Sequence, residues 1–123
     1  MGAMDLMVSI VVPQGEIFAG QVDRITLPGA EGEFGVLKGH SNMVSLLKSG
    51  VIEIEREQQI SLIAINWGYV EVKHASVDIL ADGAVFIKGD DEVYKAKKLL
   101  EDATSDRIAI SSVIAKIEAH GLR

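Results

Sequence analysis

Ala84-Val85-Phe86-Ile87-Lys88-Gly89-Asp90-Asp91-Glu92-Val93-Tyr94-Lys95-Ala96 is the stretch in which the period of the chain changes. Before Lys88-Gly89 the apolar residues follow the two-residue repeat of strands, and after it they recur at helical spacing. The break predicts an α+β chain: an antiparallel β-sandwich over residues 6–88, then a two-helix antiparallel hairpin over residues 89–123. Residues 1–5 read as a start left in part by an expression vector, because Met1-Gly2-Ala3-Met4 precedes natural starts at Met4 or Met7.

Upstream of the break, Val8, Ile10 and Val12 alternate with Met7, Ser9 and Val11, Ile52 and Ile54 with Glu53 and Glu55, and Val70 and Val72 with Tyr69 and Glu71. Such strands have one dry and one wet face, and antiparallel connections follow naturally. Pro13-Gln14-Gly15, Pro28-Gly29, Ser49-Gly50, Gln58-Gln59 and Lys73-His74-Ala75 punctuate the runs. Trp67-Gly68-Tyr69 puts two aromatics on one strand face; its glycine either lets another backbone approach closely or, more plainly, serves strand packing.

Downstream, Val93, Ala96, Leu100 and Ala103 form one helical stripe and Ile110, Val113, Ile114 and Ile117 a second. Asp90 is expected to cap the first helix, with Asp91 and Glu92 in its first turn; Thr104 or Ser105 is expected to cap the second and Gly121 to end it. Helices this short are marginal alone, so they must lie on each other, on the sandwich or on a partner.

Composition narrows the function. The 123 residues are 48% apolar and carry a net charge of −6 with no Lys/Arg-rich run, which argues against nucleic acid as a partner. The chain has no cysteine, so disulfides and thiolate chemistry are excluded. No apolar run is long enough to span a bilayer, so membrane association must come through partners. The glycine-rich segment Leu27-Pro-Gly-Ala-Glu-Gly-Glu-Phe-Gly-Val-Leu-Lys-Gly-His40 lacks the Gly-Lys-Ser/Thr with which a P-loop enters its helix, and Glu31 and Glu33 would repel phosphate. It reads as a tight turn that displays Glu31, Glu33 and His40 to another protein. No catalytic constellation is visible. His40 and Ser41 are neighbours that would point to opposite strand faces, and His40, His74 and His120 lack the spacing of metal ligands. Glu53/Glu55/Glu57 read as a solvated strand face.

An ordered set of motifs goes further. Val12-Pro13-x-Gly15-x-Ile17-Phe18-x-Gly20, the Leu27–His40 segment, Leu47-Lys-x-Gly-Val-Ile-x-Ile54, Gly68-Tyr-Val-Glu-Val72 and Ile79-Leu-Ala-Asp82, followed by a two-helix tail, resemble the epsilon subunit of bacterial rotary (F-type) ATP synthases. The resemblance implies a non-catalytic rotor subunit of the central stalk that couples proton flow to ATP synthesis and is bound to gamma and to the c-subunit ring. The αβ catalytic hexamer is a further partner. It implies a peripheral place on the cytoplasmic face of a bacterial inner membrane, a bacterial origin agreeing with the lack of a transit peptide. Glu33, with Glu31 and His40 close by, would meet the polar loops of the ring, and Gly89 would be the hinge of a movable hairpin.

Two departures limit what carries over. Inhibitory relatives have a longer, richly basic second helix, whereas this chain offers Arg107, Lys116 and Arg123, which implies weak or absent inhibition of ATP hydrolysis. Relatives that bind ATP use Asp-x-x-Arg-Ala and an upstream glutamate. Here Glu92-Val-Tyr-Lys95-Ala96 and Val85-Phe86 stand instead, which implies a weakened or missing nucleotide site and no cofactor. The competing reading is an unrelated β-sandwich adaptor, or a hydrolase in which Ser41 and His40 would need a carboxylate partner. Truncation after Lys88 is expected to leave the sandwich folded.

Overall fold

The computed structural model describes residues 6–104 and 107–120, apart from the side chains of 108 and 109. The start at Met1-Gly2-Ala3-Met4, the cap at Ser105, the stop at Gly121 and the basic Arg123 lie outside the described residues. Ten strands come first: β1 (Leu6–Val12), β2 (Gly15–Val22), β3 (Arg24–Gly29), β4 (Gly32–Val36), β5 (Met43–Leu47), β6 (Gly50–Arg56), β7 (Gln59–Ile65), β8 (Gly68–Val72), β9 (Ser76–Ala81) and β10 (Ala84–Ile87). Helices α1 (Asp90–Ala103) and α2 (Arg107–Ala119) follow, so the change of period at Lys88-Gly89 marks the change of structure.

The strands are hydrogen-bonded in the order β10-β7-β6-β3-β5-β8-β9-β1-β2, with β4 also paired to β3. The sheet closes over a core to which β1 gives Leu6, Val8, Ile10 and Val12, β6 gives Ile52 and Ile54, and β8 gives Val70 and Val72. The period-two residues thus point inward as the sequence predicts. One pairing departs from the antiparallel expectation: β1 lies parallel to β9, from Met7 opposite Ser76 to Val11 opposite Leu80. This pairing joins strands far apart in sequence, which alternation within a single strand does not reveal.

Three turns lie slightly off their expected places. Pro28-Gly29 ends β3 rather than interrupting it, since the Pro28 carbonyl still accepts from the Lys48 amide at 2.9 Å. Lys48-Ser49 rather than Ser49-Gly50 connects β5 to β6. Glu57-Gln58 connects β6 to β7, with Arg56 opposite Gln59. Both turn residues have positive φ, 52° and 68°, as a type I′ hairpin requires, and Asp23 Oδ2 accepts from the Glu57 amide at 2.8 Å. A left-handed non-glycine residue is strained, so Gln58→Gly is expected to raise stability by about 0.5–1 kcal/mol, measurable by urea denaturation. At Gly68 the backbone does come close, because a Cβ there would stand 2.5 Å from the Leu80 carbonyl oxygen. Close approach, not plain strand packing, is what this glycine serves.

Strand β10 and the Leu62–Ile65 run of β7 are apolar on both faces, and Val51 of β6 adjoins them. Their outer face, formed by Val51, Leu62, Ala64 and Ile87, is covered by Val93, Ala96 and Leu100 of α1 and by Ile117 of α2. The hairpin therefore lies on the sandwich through a second core layer. Ala103, placed in the first stripe by spacing, is exposed. Asp90 does not cap α1: Gly89 holds the N-cap position in extended backbone with no side-chain cap, and Asp90, Asp91 and Glu92 form the acidic first turn. Thr104 is the C-cap of α1 rather than the cap of α2; its amide donates to the Leu100 carbonyl at 3.2 Å.

Candidate functional site

The acidic turn is built by two glycines. Gly29 pairs with Gly32 across the β3–β4 hairpin and leaves Ala30-Glu31 as its tip. A Cβ on Gly29 would meet the Gly32 carbonyl oxygen at 2.6 Å and the Phe34 ring at 2.8 Å, while Gly32 has a φ of +138° that side chains resist. Glu31 is therefore thrust outward on a rigid support. Glu31, Glu33 and His40 line one open groove of about 640 Å³ together with Met43, Val44 and Leu46, so the three residues singled out by sequence are brought together. His40 lies in the irregular segment between β4 and β5, not on a strand. Its Nδ1 donates to the Ser41 carbonyl oxygen at 2.7 Å, a bond that orients the ring and does nothing to activate the Ser41 hydroxyl.

Glu33 also faces the hairpin. Lys116 of α2 forms ion pairs with Glu33 and, at 3.2 Å, with Glu53 of β6. One turn on, His120 Nε2 stands 3.1 Å from the other Glu53 oxygen. Glu53 is thus half-buried beneath α2 rather than part of a freely solvated acidic face. Burial pulls the Lys116 ammonium towards neutrality, but its bonds to Glu33 and Glu53 and their charges outweigh that, and its pKa is raised above the ordinary 10.5. A raised pKa means that the ammonium supports the docked hairpin in full below pH 10.5 and stops doing so as pH climbs through the raised value. The protection of α2 amides, taken relative to their intrinsic base-catalysed exchange, is accordingly expected to fall in that alkaline window, and Lys116→Gln to remove that fall.

A second surface was not found from sequence. Leu46, Tyr69 and Leu80 project from the outer face of β5, β8 and β9 in one register row, Leu46 opposite Tyr69 and Tyr69 opposite Leu80, and Val11 of β1 continues it. Their exposure is 64%, 39% and 57%, and Trp67 beside them is 56% exposed. A contiguous apolar row of this kind, next to the acidic turn, is what protein interfaces are made of. The available signal was that Val44, Leu46 and Leu80 occupy the positions out of phase with the inward-pointing residues of their strands.

The remaining residues fall elsewhere. Gly89 has a φ of −170°, open to any residue, and among the described residues a Cβ there would find only Glu92 Oε1, at 3.7 Å. Ala96 is fully buried against the sheet, Lys95 is exposed and Glu92 half-buried. Where a nucleotide-binding glutamate would be expected, Phe86 packs 6.3 Å from the Phe18 ring with Lys88 Nζ 5.2 Å above its centroid.

Residues 5–87 match the family model of the ATP synthase, Delta/Epsilon chain, beta-sandwich domain. An ATP synthase epsilon chain of Helicobacter pylori is 64% identical over 119 residues, covering 93% of this chain and 97% of that one. One of Wolinella succinogenes is 52% identical over 121 residues, covering 93% and 92%. Among solved structures, a chain of the Euglena gracilis mitochondrial ATP synthase (OSCP/F1/c-ring) superposes with a TM-score of 0.67 at 25% identity, over 94% of this chain and 81% of that one. A chain of the Tetrahymena thermophila mitochondrial ATP synthase central stalk/c-ring has a TM-score of 0.62 at 14% identity over 89% and 96%, a likeness of fold.

Proposed function

The chain belongs to the family of ATP synthase epsilon chains, and on that footing we propose that it works as a non-catalytic rotor subunit of the central stalk, carrying c-ring rotation to the catalytic hexamer. The observation that carries this reading is the pair of adjoining surfaces: an exposed apolar row at Leu46, Tyr69 and Leu80, and an acidic glycine-built turn at Glu31 and Glu33. The apolar row suits gamma, because a stable partner must cover it. The turn, with His40, suits the polar loops of the c ring, where exposed ion pairs set orientation more than affinity. No helix among the described residues is long and apolar enough to cross a membrane, so a place on the cytoplasmic face of the bacterial membrane would be peripheral and held by these partners. Nucleotide sensing at Glu92, Lys95 and Ala96 is not part of the proposal, since Lys95 lacks the two-pronged grip of arginine and Phe86 occupies the upstream place.

Mixing the purified chain with gamma, or with the αβγ complex, tests the stalk role by size exclusion. Co-elution at micromolar concentration supports it; clean separation would overturn the proposed attachment to gamma. For the ring contact, Glu31→Lys is the cleaner variant, because Glu33→Lys also sets a second cation beside Lys116. Each is expected to weaken assembly on the membrane sector severalfold and to spare gamma binding. Unchanged assembly for both would remove the ring from this turn.

A further inference from the structure

Glu33 is claimed from two sides. It belongs to the displayed turn with Glu31 and His40, and its carboxylate also takes the Lys116 ammonium of the docked hairpin. The apolar hold on α2 is thin: among its described side chains Ile117 alone is fully buried, with Val113 packed beside it. The contacts of Lys116 to Glu33 and Glu53 and of His120 to Glu53 are therefore a substantial part of what keeps α2 in place.

We propose that Lys116 is an internal stand-in for a basic partner group at Glu33, so that engagement of the β3–β4 turn by a basic loop and docking of α2 oppose each other. The inference rests on the reading that this turn meets the c ring. A carboxylate already neutralised by one ammonium attracts a second cation less, and the two cations repel. Glu53 holds Lys116 independently, at 3.2 Å, which makes the coupling graded rather than all-or-none. Coupling of this kind is reciprocal: whatever factor the docked helix takes from ring binding, ring binding takes from docking. Contact with the ring thereby reaches the hairpin through one side chain, without any change in the sandwich.

The test follows hydrogen exchange of residues 107–120 in the full chain bound to gamma, with and without isolated c ring. The ring is expected to quicken α2 exchange by up to about fivefold, the scale of one exposed ion pair. In Glu33→Gln, α2 should already exchange faster and the ring should change it no further. In Lys116→Gln, the ring should bind up to about fivefold tighter. If α2 exchange in the unaltered chain ignores the ring while Glu33→Gln still weakens ring binding, the coupling is overturned and the contact stands. Ring binding indifferent to both Glu31→Lys and Glu33→Gln overturns the contact and the coupling with it.

Discussion

Leu80→Asp is expected to weaken binding to gamma by about 30-fold or more while leaving the isolated chain folded. Leu80 projects from the middle of the exposed row, with Tyr69 on one side and Val11 on the other, and is 57% exposed in the free chain. Surface substitutions away from the core change stability by about 0.5 kcal/mol or less, and Asp78 already occupies the same face two residues earlier. In a complex that covers the row, the introduced carboxylate would be desolvated opposite apolar atoms. Central interface residues of this kind cost about 2 kcal/mol or more when lost, and an unpaired buried charge adds to that. Size exclusion should therefore show separation for Leu80→Asp and co-elution for Asp78→Ala. Equal co-elution of both would mean that gamma binds another face.

Much of the fold could be read from the residues because two periods meet at one point. Val8, Ile10 and Val12 could only be one face of a strand, and Val93, Ala96 and Leu100 one face of a helix. What escaped was long-range. The parallel union of β1 with β9 depends on how strands assemble, and no local pattern in Leu6–Val12 distinguishes it from an antiparallel one. The resting place of the hairpin was closer to view. Leu62-Ile63-Ala64-Ile65 is a continuous apolar run, and such a run signals a strand buried on both faces, which requires something to lie across its outer side. The turn carrying Glu31 and Glu33 was recognisable from its glycines, but its link to Lys116 spans 83 positions and comes from packing of α2. The Leu46–Tyr69–Leu80 row escaped because exposed leucines are common singly and gain meaning only when register sets them side by side.

Ala96→Glu is expected to detach the hairpin without unfolding the sandwich. Ala96 is fully buried, in the layer where α1 meets Val51, Leu62, Ala64 and Ile87. Among the described residues the side chains of that layer are apolar, and leaving a carboxylate desolvated there would cost several kcal/mol. Undocking relieves that cost. It forfeits the burial of Val93 and Leu100 at about 1.5–3 kcal/mol each, an upper bound because the unfolded chain already covers part of such surface. The core of Leu6, Val8, Ile10, Ile52, Ile63, Val70 and Ile79 is a separate cluster and keeps its contacts. Hydrogen exchange should thus lose on the order of 100-fold protection in α1 and α2 while β1, β8 and β9 stay protected. A dye for exposed apolar surface should bind to the bared outer face of β6, β7 and β10. Truncation after Lys88 should bare the same face, so the sandwich folds alone but is prone to associate, and the hairpin is more than a peripheral stripe. Loss of protection in β1, β8 and β9 along with the helices would show instead that sandwich and hairpin unfold as one unit, and the boundary at Lys88 would not divide two domains.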